Sequence, residues 1–466
     1  MAEEISNEIV DPEEVVIRPG GRAATRPLSM IALRCIASRF TWIGLNTVTG
    51  ILAARALQPQ GRGELAAMIL WPTLVGGVTA FGLPKALIYH VRRDSKQAAR
   101  LAGSAALMSF LITLIGAAVV WHIIPIWLRS QPAHIVFAAQ LCVLMAPVYS
   151  LSTLGQAAWE ANGHFGRSNL SQLLPPCLII VGLGVQIWLG VLTPASAAAT
   201  YVLAGVPAFI WMLASIGRDY RPTLRGASRV WRSLLHYGTR SFGGGLAGIL
   251  SIYLDQVLVV GLVGAASMGI YAVAINLARV VDAANTSVAT IMFPKVVGLE
   301  PRQIAREVAR SARLGSIAGI LIAAAVLVAG PFLLRWLYGP AFVPAIQILP
   351  ILVCRIIVVG FAHMLLQAFS AAGRPGITTA IQLSTVAVSI PLTLTLVPWL
   401  GLVGAALSLL IAASVRLLLT LVGYRMILHV PLPRLWINGE DLVALARYRS
   451  ELVSSVLRMR TAWEAK

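Results

Sequence analysis

The chain has 466 residues, of which 58% are hydrophobic and only 12% are charged, and its mean hydropathy is +0.81. Soluble proteins carry about 25% charged residues, so this composition excludes a water-soluble globular protein. The net charge of +19 raises nucleic-acid binding as one explanation, but the basic residues lie between apolar runs, as they do in the cytoplasmic loops of membrane proteins. The four cysteines are far apart and predict neither a disulfide framework nor a metal site.

The N-terminal residues differ in character from the rest of the chain. Acidic residues come first and are followed by Arg18, Arg22 and Arg26. This order is unlike a signal peptide, which begins with basic residues and continues into a short apolar core. We therefore predict a cytoplasmic tail over residues 1–29, with a basic collar before the first membrane span.

Twelve apolar runs follow, each long enough to cross a bilayer. They cover residues 30–54, 65–90, 101–127, 135–157, 169–193, 195–217, 241–263, 266–292, 314–334, 344–370, 376–397 and 400–424. With the N-terminus inside, 28 of the 37 Lys and Arg fall in cytoplasmic segments, 4 fall in the opposite loops, and five lie within spans. This asymmetry predicts twelve spans with both termini cytoplasmic. The loops on both sides are too short for a soluble catalytic domain.

The two halves of the chain share features at an offset of 210 residues. Gly163, Gly166 and Gln172 match Gly373, Gly376 and Gln382, and the second span of each half ends in Pro-Lys. Because each half has an even number of spans, both halves enter the membrane from the same side. The sequence therefore predicts a parallel pseudo-two-fold repeat, with binding sites between the halves.

This repeat defines the predicted organisation of the chain. A six-helix bundle over 30–217 and a second over 241–424 are joined by a basic amphipathic linker at 218–240, and an amphipathic cytoplasmic tail covers 425–466. The linker, the tail and the stretch from Arg302 to Arg313 each place basic and apolar residues on different helix faces. We expect them to lie in the membrane interface, with the apolar side toward lipid.

Seven charged residues fall inside the predicted spans: Arg34, Arg39, Asp255, Arg279, Asp282, Arg355 and Arg416. A charge at the bilayer centre costs about 2.5–3.5 kcal/mol on insertion scales, so it usually faces a cavity or a partner. Arg34 and Arg416 lie toward span ends, where their side chains can reach the membrane surface. Arg39 and Arg355 lie deeper and are better candidates for a cavity.

Two further features concern the acidic residues. Span 8 carries Asn276, Arg279, Asp282 and Asn285 at spacings of three, which places successive members beside each other on a helix. Arg279 and Asp282 can pair with each other. Asp255 has no basic residue within a helical turn, so it needs a cation, a proton or an arginine from another helix.

Motifs for chemistry are missing from the sequence. It holds no phosphate-binding GxxxxGK[ST] loop, no HExxH and no Cys/His cluster, and its histidines stand in no nucleophile–base pattern. We therefore expect neither an enzyme nor a bound metal or cofactor.

Two stretches carry a resemblance to a known family. They are AARALQPQGRGELA at 53–66, and Leu254-Asp255-Gln256 followed by GIYAVA at 269–274. The chain resembles the polysaccharide transporter family of the multidrug/oligosaccharidyl-lipid/polysaccharide (MOP) exporter superfamily, which includes the Wzx-type flippases. That family often shows LGP-x-GRGEYA, and LD followed by G-x-YA. Gln58 stands here where the pattern has Gly, and Gln256 where a basic residue is frequent.

The resemblance implies an inner-membrane flippase for undecaprenyl-pyrophosphate-linked oligosaccharides, used in surface polysaccharide biosynthesis such as that of exopolysaccharide or O-antigen. The implied fold is two six-helix bundles in a V around a central cavity that works by alternating access. Relatives that flip the peptidoglycan precursor usually have fourteen spans, which disfavours that substrate here. Such a cargo suits a cationic cavity with arginines for the diphosphate, amides for sugar hydroxyls and carboxylates for proton or sodium coupling or for ion pairs. The candidates are Arg39, Arg279 and Arg355; Asn46, Asn276, Asn285, Gln367 and Gln382; and Asp255 and Asp282.

Three alternatives stay open at this point. A cation-coupled drug exporter of the same superfamily would favour acidic residues in its cavity. The predicted spans instead hold five arginines and only two aspartates. A membrane polymerase or ligase would need a sizeable periplasmic loop. A non-transporting scaffold for polysaccharide assembly leaves the intramembrane charges unexplained. The expected partners are the lipid-linked cargo, membrane lipids, and a polysaccharide polymerase with its assembly proteins; nucleic acid is not expected.

Overall fold

The structure is a computed structural model that describes residues 28–224, 227–296 and 300–430. Within these ranges the side chains of 28–36, 227–229, 240, 283–291, 293–295, 301 and 375 are outside the description. The predicted tails at 1–29 and 425–466 therefore lie almost entirely outside the described residues. The side chains of Arg34 and Asn285 lie outside them as well.

All regular structure in the described ranges is helical. The thirteen α-helices are α1 (Leu28–Thr79), α2 (Leu83–Arg93), α3 (Ala98–Trp127), α4 (Ala133–Val143), α5 (Ala146–Ala161), α6 (Phe165–Trp188), α7 (Pro194–Leu203), α8 (Gly205–Tyr220), α9 (Ala227–Val263), α10 (Ala265–Val296), α11 (Pro301–Leu333), α12 (Ala345–Ala371) and α13 (Pro375–Met426). Short 3-10 turns at Ser95–Gln97 and Pro340–Phe342 and a π-helical turn at Leu334–Tyr338 complete the connections. The predicted all-helical membrane protein is confirmed.

Nine helical stretches in the described ranges are long and apolar enough to cross a membrane, or ten if one bent pair is a single span. Two of these ten stretches lie in α1 and α13, and each of these two helices has 52 residues. A straight helix of that length would measure about 78 Å, more than twice the roughly 30 Å of bilayer hydrocarbon. These two helices must therefore be interrupted.

The interruption of α13 is a reversal of the chain at Gly401. This residue has φ 55° and ψ −130°, and the hydroxyl oxygens of Thr393 and Ser408 lie 2.8 Å apart. On a straight helix, fifteen residues would separate them by about 22 Å. The chain folds back in α1 as well, at Gln58, since Asn46 and Thr73 line one cavity from either side of it. Splitting both helices turns ten spans into the predicted twelve, a count that these reversals favour and that stays a prediction.

The reversal in α1 gives Gln58 an unusual backbone conformation. Its φ of 58° and ψ of 176° belong to a region that is essentially restricted to glycine and costs other residues about 1–3 kcal/mol. The Gln58 side chain donates a hydrogen bond from Nε2 to the carbonyl oxygen of Arg55 (3.0 Å), which caps the turn. The geometry explains why the family pattern has glycine at this position.

Gln58→Gly is expected to stabilise the protein, because glycine adopts this conformation without strain. We expect a gain of about 1 kcal/mol, since relief of strain is partly offset by the entropy that glycine adds to the unfolded chain. Thermal unfolding of the purified protein in detergent measures the change. Gln60→Gly, two residues further along, is the control and should destabilise. A loss of stability in Gln58→Gly would contradict the strained turn.

Two turns repeat at the predicted offset. Gly163 has φ 77° and Gly373 has φ 74°. In the first turn the N–H of His164 donates to the carbonyl oxygen of Trp159 at 2.8 Å. In the second turn the N–H of Arg374 donates to the carbonyl oxygen of Phe369, also at 2.8 Å. Both turns need a left-handed residue, which favours glycine at both positions. The pseudo-two-fold relation of the halves stays a prediction, and these matching turns favour it.

Two of the three predicted interfacial segments are packed against protein, and the third, the tail at 425–466, lies almost entirely outside the described residues. Val230 and Leu234 belong to the linker but are buried in a core with α2, α3 and α5, and their segment is the start of α9. Ile304 and Val308 are likewise buried in a core with α12 and α13, while Arg302 is exposed. The prediction that these apolar faces rest in lipid is wrong, because each face finds an apolar protein surface to cover.

The α1 reversal packs closely against the start of α10. A methyl group on Gly63 would overlap the carbonyl oxygen of Ala265, and one on Gly269 would overlap that of Pro59. Only glycine permits this approach of the two backbones. The contact joins the two predicted bundles at one end, where a single hydrophobic core contains residues of α1, α3, α7, α10 and α12.

Candidate functional site

A cavity of about 560 Å³ lies among the helices of the predicted N-terminal bundle. Its walls come from both arms of α1 and from α5, α6, α7 and α8, and side chains of α9 and α10 complete it. Three predicted binding residues line it: Asn46, Asn276 and Arg279. The α1 reversal brings Asn46 to this position, and the spacing of three on α10 brings Asn276 and Arg279 there together.

Several lining residues were missed as site candidates from the sequence. They are Arg62, Tyr149, Gln156, Gln172, Tyr253 and Gln256. Gln172 had been noted only as a repeat match, and Gln256 only as a departure from the family pattern. Arg62 lies between the first two predicted spans and so falls outside the set of charges within spans. Its place inside the GRGE motif was the one available signal.

The predicted arginines converge around one carboxylate beside this cavity. Asp282 is half-buried and interacts electrostatically with Arg39 of α1, Arg279 of α10 and Arg355 of α12. Arg39 and Arg279 expose their side chains, whereas the side chain of Arg355 is 14% exposed. Three helices thus place positive charge at one level of the molecule. We call Arg39, Arg279, Arg355 and Asp282 the arginine cluster.

Asp255 is paired by another helix, one of the options that the sequence left open. The residue is buried, and its Oδ2 atom lies 3.5 Å from Nη1 of Arg355. The hydroxyl of Tyr271 donates to the same oxygen at 2.7 Å. The LDQ and GIYA stretches, 16 residues apart, therefore meet in one hydrogen-bonded unit.

The remaining predicted residues lie toward the second bundle. Gln367 Nε2 is 3.2 Å from His363 Nε2, and Gln382 is half-buried on α13. Neither is among the residues that line the cavity. Arg416 does not reach the membrane surface as predicted: it is 5% exposed, and its Nε atom has no hydrogen-bond partner. The reason is the helix face on which it lies: Arg416 is turned into the protein, where it interacts electrostatically with His363 and Arg355 of α12.

The arrangement favours binding of an anion next to a polar chamber. Guanidinium groups form strong, often bidentate hydrogen bonds with phosphate and carboxylate. Amide, hydroxyl and phenol groups lining the cavity suit the hydroxyls of a sugar. Among the described residues, no three His, Cys, Asp or Glu side chains are grouped so that they could hold a metal.

Comparison with solved structures places this fold in one class. The chain is similar to the lipid II flippase MurJ in an inward closed conformation (TM-score 0.71, 14% identity, covering 86% of this chain and 88% of that one). It is also similar to a multidrug resistance MATE family transporter of the MOP superfamily in its inward-facing conformation (0.67, 16% identity, 86% and 98%). An outward-facing MATE transporter matches with a TM-score of 0.57 (15% identity, 86% and 95%). The protein is therefore a multi-pass membrane protein with the MOP transporter fold.

The family follows from the sequence itself. The family described as "Polysaccharide biosynthesis protein" matches residues 51–347, more than half of the chain, and the protein belongs to it. No curated protein sequence matches the chain significantly. The predicted resemblance is confirmed as membership of this polysaccharide biosynthesis family and as a fold shared with MATE and MurJ proteins.

Proposed function

We propose that the protein is a flippase for undecaprenyl-pyrophosphate-linked oligosaccharide repeat units, which it moves from the cytoplasmic to the periplasmic leaflet for surface polysaccharide biosynthesis. The observation that carries the proposal is the arginine cluster beside a polar cavity. Membership of a polysaccharide biosynthesis family and the MOP transporter fold support it. The protein acts as a transporter in the bacterial inner membrane, with cytoplasmic termini, and catalyses no reaction.

The cluster suits the head group of such a lipid. A pyrophosphate carries several negative oxygens, and Arg279 faces the cavity while Arg39 is exposed. Together the two side chains can neutralise the charge that otherwise opposes crossing the bilayer. The sugars occupy the polar cavity through Asn46, Asn276 and neighbouring polar groups, and the polyprenyl tail stays in lipid. A cation-exporting protein would place an excess of acidic groups here.

The carboxylates offer a way to drive the cycle. Asp255 holds Arg355 in its pair, and Asp282 lies among the three arginines of the cluster. Protonation of either carboxylate, or sodium binding to it, would free positive charge for the cargo. The coupling ion is part of the proposal, as are the polysaccharide polymerase and assembly proteins that receive the product.

The conformation fits one state of an alternating-access cycle. The Gly63–Ala265 and Gly269–Pro59 contacts close the end that the charge pattern assigns to the periplasm. The higher TM-score to an inward-facing transporter than to an outward-facing one agrees with that orientation. The described state is thus the one that would receive cargo from the cytoplasmic leaflet.

Arg279→Gln is expected to reduce transport about 10- to 100-fold, because a hydrogen bond to a charged group is worth about 1.5–3 kcal/mol. The measurement is the appearance of fluorescent lipid-linked oligosaccharide in the outer leaflet of vesicles that contain the purified protein. Arg279→Lys should retain part of the rate. Arg335→Gln, an exposed arginine far along the chain, is the matched control and should behave as wild type.

The same variants are tested in cells that lack the gene. The proposal requires lipid-linked sugar to accumulate in the cytoplasmic leaflet and Arg279→Gln to fail at normal protein levels. Unchanged surface polysaccharide together with accumulation of cationic dyes would replace the proposal with drug export. Flipped but unpolymerised lipid-linked sugar in these cells would replace it with a polymerase.

A further inference from the structure

Arg62 is a buried arginine with unsatisfied hydrogen-bonding atoms in the cavity wall. It is 6% exposed, and its Nε and Nη1 atoms have no hydrogen-bond partner. Glu64, the acid nearest in sequence, accepts a hydrogen bond from Gln60 (2.9 Å), and a residue two positions along a helix points to the other side. Buried polar atoms are nearly always paired, so these two atoms are available to a partner from outside the protein.

The surroundings of Arg62 contain phenols but no countercharge that the structure shows. Tyr338 interacts with Arg62 electrostatically, and its hydroxyl is also buried without a hydrogen-bond partner. The hydroxyl of Tyr201, which lines the same cavity, is in the same condition. A neutral phenol cannot compensate a buried guanidinium. Three polar groups at or next to one wall are thus placed for a molecule that carries both hydroxyls and a negative charge.

Arg62 is separated from the arginine cluster along the cavity. Gly63 contacts Ala265 at the start of α10, and Arg279 lies fourteen residues further along that helix. Fourteen residues correspond to about 21 Å. A single pyrophosphate is about a quarter of that length, so one such group cannot occupy both positions at once.

We propose that Arg62 is a binding site for an acidic sugar, and that the cargo's oligosaccharide carries a carboxylate, as a uronic acid does. The inference rests on the proposed function and specifies its cargo. The pyrophosphate lies at the arginine cluster, next to the lipid tail. The sugars extend from there into the N-terminal bundle, where the carboxylate accepts hydrogen bonds from Nε and Nη1 of Arg62.

Two disaccharides that differ only in the acid test this site. Cellobiouronic acid and cellobiose are titrated into the purified wild-type protein by calorimetry, and inorganic pyrophosphate is titrated separately. We expect the acid to bind at least tenfold more tightly than the neutral sugar. Arg62→Gln should abolish that preference, whereas Arg279→Gln should weaken pyrophosphate binding and leave the preference in place. Arg55→Gln removes an exposed charge from the same reversal and should change neither.

Several outcomes would overturn the assignment. Equal binding of the two disaccharides to wild type does so without any variant, and survival of the preference in Arg62→Gln does so as well. Loss of pyrophosphate binding in Arg62→Gln would assign Arg62 to the lipid diphosphate. A large fall in melting temperature for Arg62→Gln would show a structural arginine, because removing an unpaired buried charge should leave stability unchanged or raise it. None of these results affects the vesicle assay of flipping, so failure here is distinguishable from failure of the proposed function.

Discussion

Asp255→Ala is expected to lower the free energy of unfolding by about 3–5 kcal/mol, the usual cost of removing one partner of a buried ion pair. The aspartate is 3% exposed and holds both Arg355 and the hydroxyl of Tyr271. Its removal leaves a guanidinium and a phenol without their acceptor in a membrane protein's interior. An unpaired charge in such surroundings is costly.

Unfolding of the detergent-solubilised protein, followed by tryptophan fluorescence, measures this loss. Tyr271→Phe removes only one neutral donor and should cost about 1 kcal/mol. The double variant Asp255→Ala/Arg355→Met removes both charges and should recover much of the stability lost in Asp255→Ala. A cost below about 1 kcal/mol for Asp255→Ala, or a double variant less stable than the single one, would contradict a buried pair at this site.

The Asp255 pair shows how far sequence reasoning reaches in this protein. A carboxylate within an apolar run requires a countercharge, so an arginine from another helix could be anticipated as one solution. Which arginine supplies it could not, because Arg355 is 100 positions away and the packing of α9, α10 and α12 decides the match. The LDQ and GIYA stretches were recognised as a family pattern, but their hydrogen bond was not.

The position of the cavity, in contrast, could not be predicted from the sequence. Composition and charge asymmetry were sufficient to predict a helical multi-pass protein and a cationic interior. They could not say which helices enclose the chamber, and the prediction of a site between the halves drew Gln367 and Gln382 into the candidate set. The cavity lies largely within the first bundle, where α1 folds back at Gln58, and residues of α9 and α10 from the second bundle complete its wall. That reversal places Asn46 and Arg62 on one cavity, and no periodicity in the sequence reveals it.

Arg62 and Arg416 were both misjudged for one physical reason. Arg416 lies near the end of an apolar run, where positive charge usually reaches the membrane surface, and Arg62 lies in the short loop between two predicted spans. The reversal at Gln58 instead buries Arg62 in the wall of the cavity, and Arg416 lies on a helix face that is turned into the protein. The distance to water therefore depends on how neighbouring hairpins pack, which sequence position alone does not give.

Gly63→Ala is expected to abolish transport by preventing closure of the end where the two halves meet. The added methyl group would overlap the backbone carbonyl of Ala265, and a backbone cannot move aside as a side chain can. Overpacking of this kind costs about 1–3 kcal/mol or more. At the upper end, 3 kcal/mol changes the ratio of closed to open molecules about 150-fold. Gly269→Ala, which would meet Pro59, should act in the same direction.

Spin labels at Arg55 and Ala266, two exposed residues on either side of this contact, report the opening as a longer distance in pulsed electron paramagnetic resonance. We expect a short distance in wild type and a predominantly long one in Gly63→Ala, with transport lost in the vesicle assay. Gly248→Ala is the matched control, because a methyl group there meets open space inside a helix. Its distance and transport rate should equal those of wild type. If Gly63→Ala keeps the short distance while transport is lost, the glycine serves another role; if transport continues, closure at this contact is not a step of the cycle.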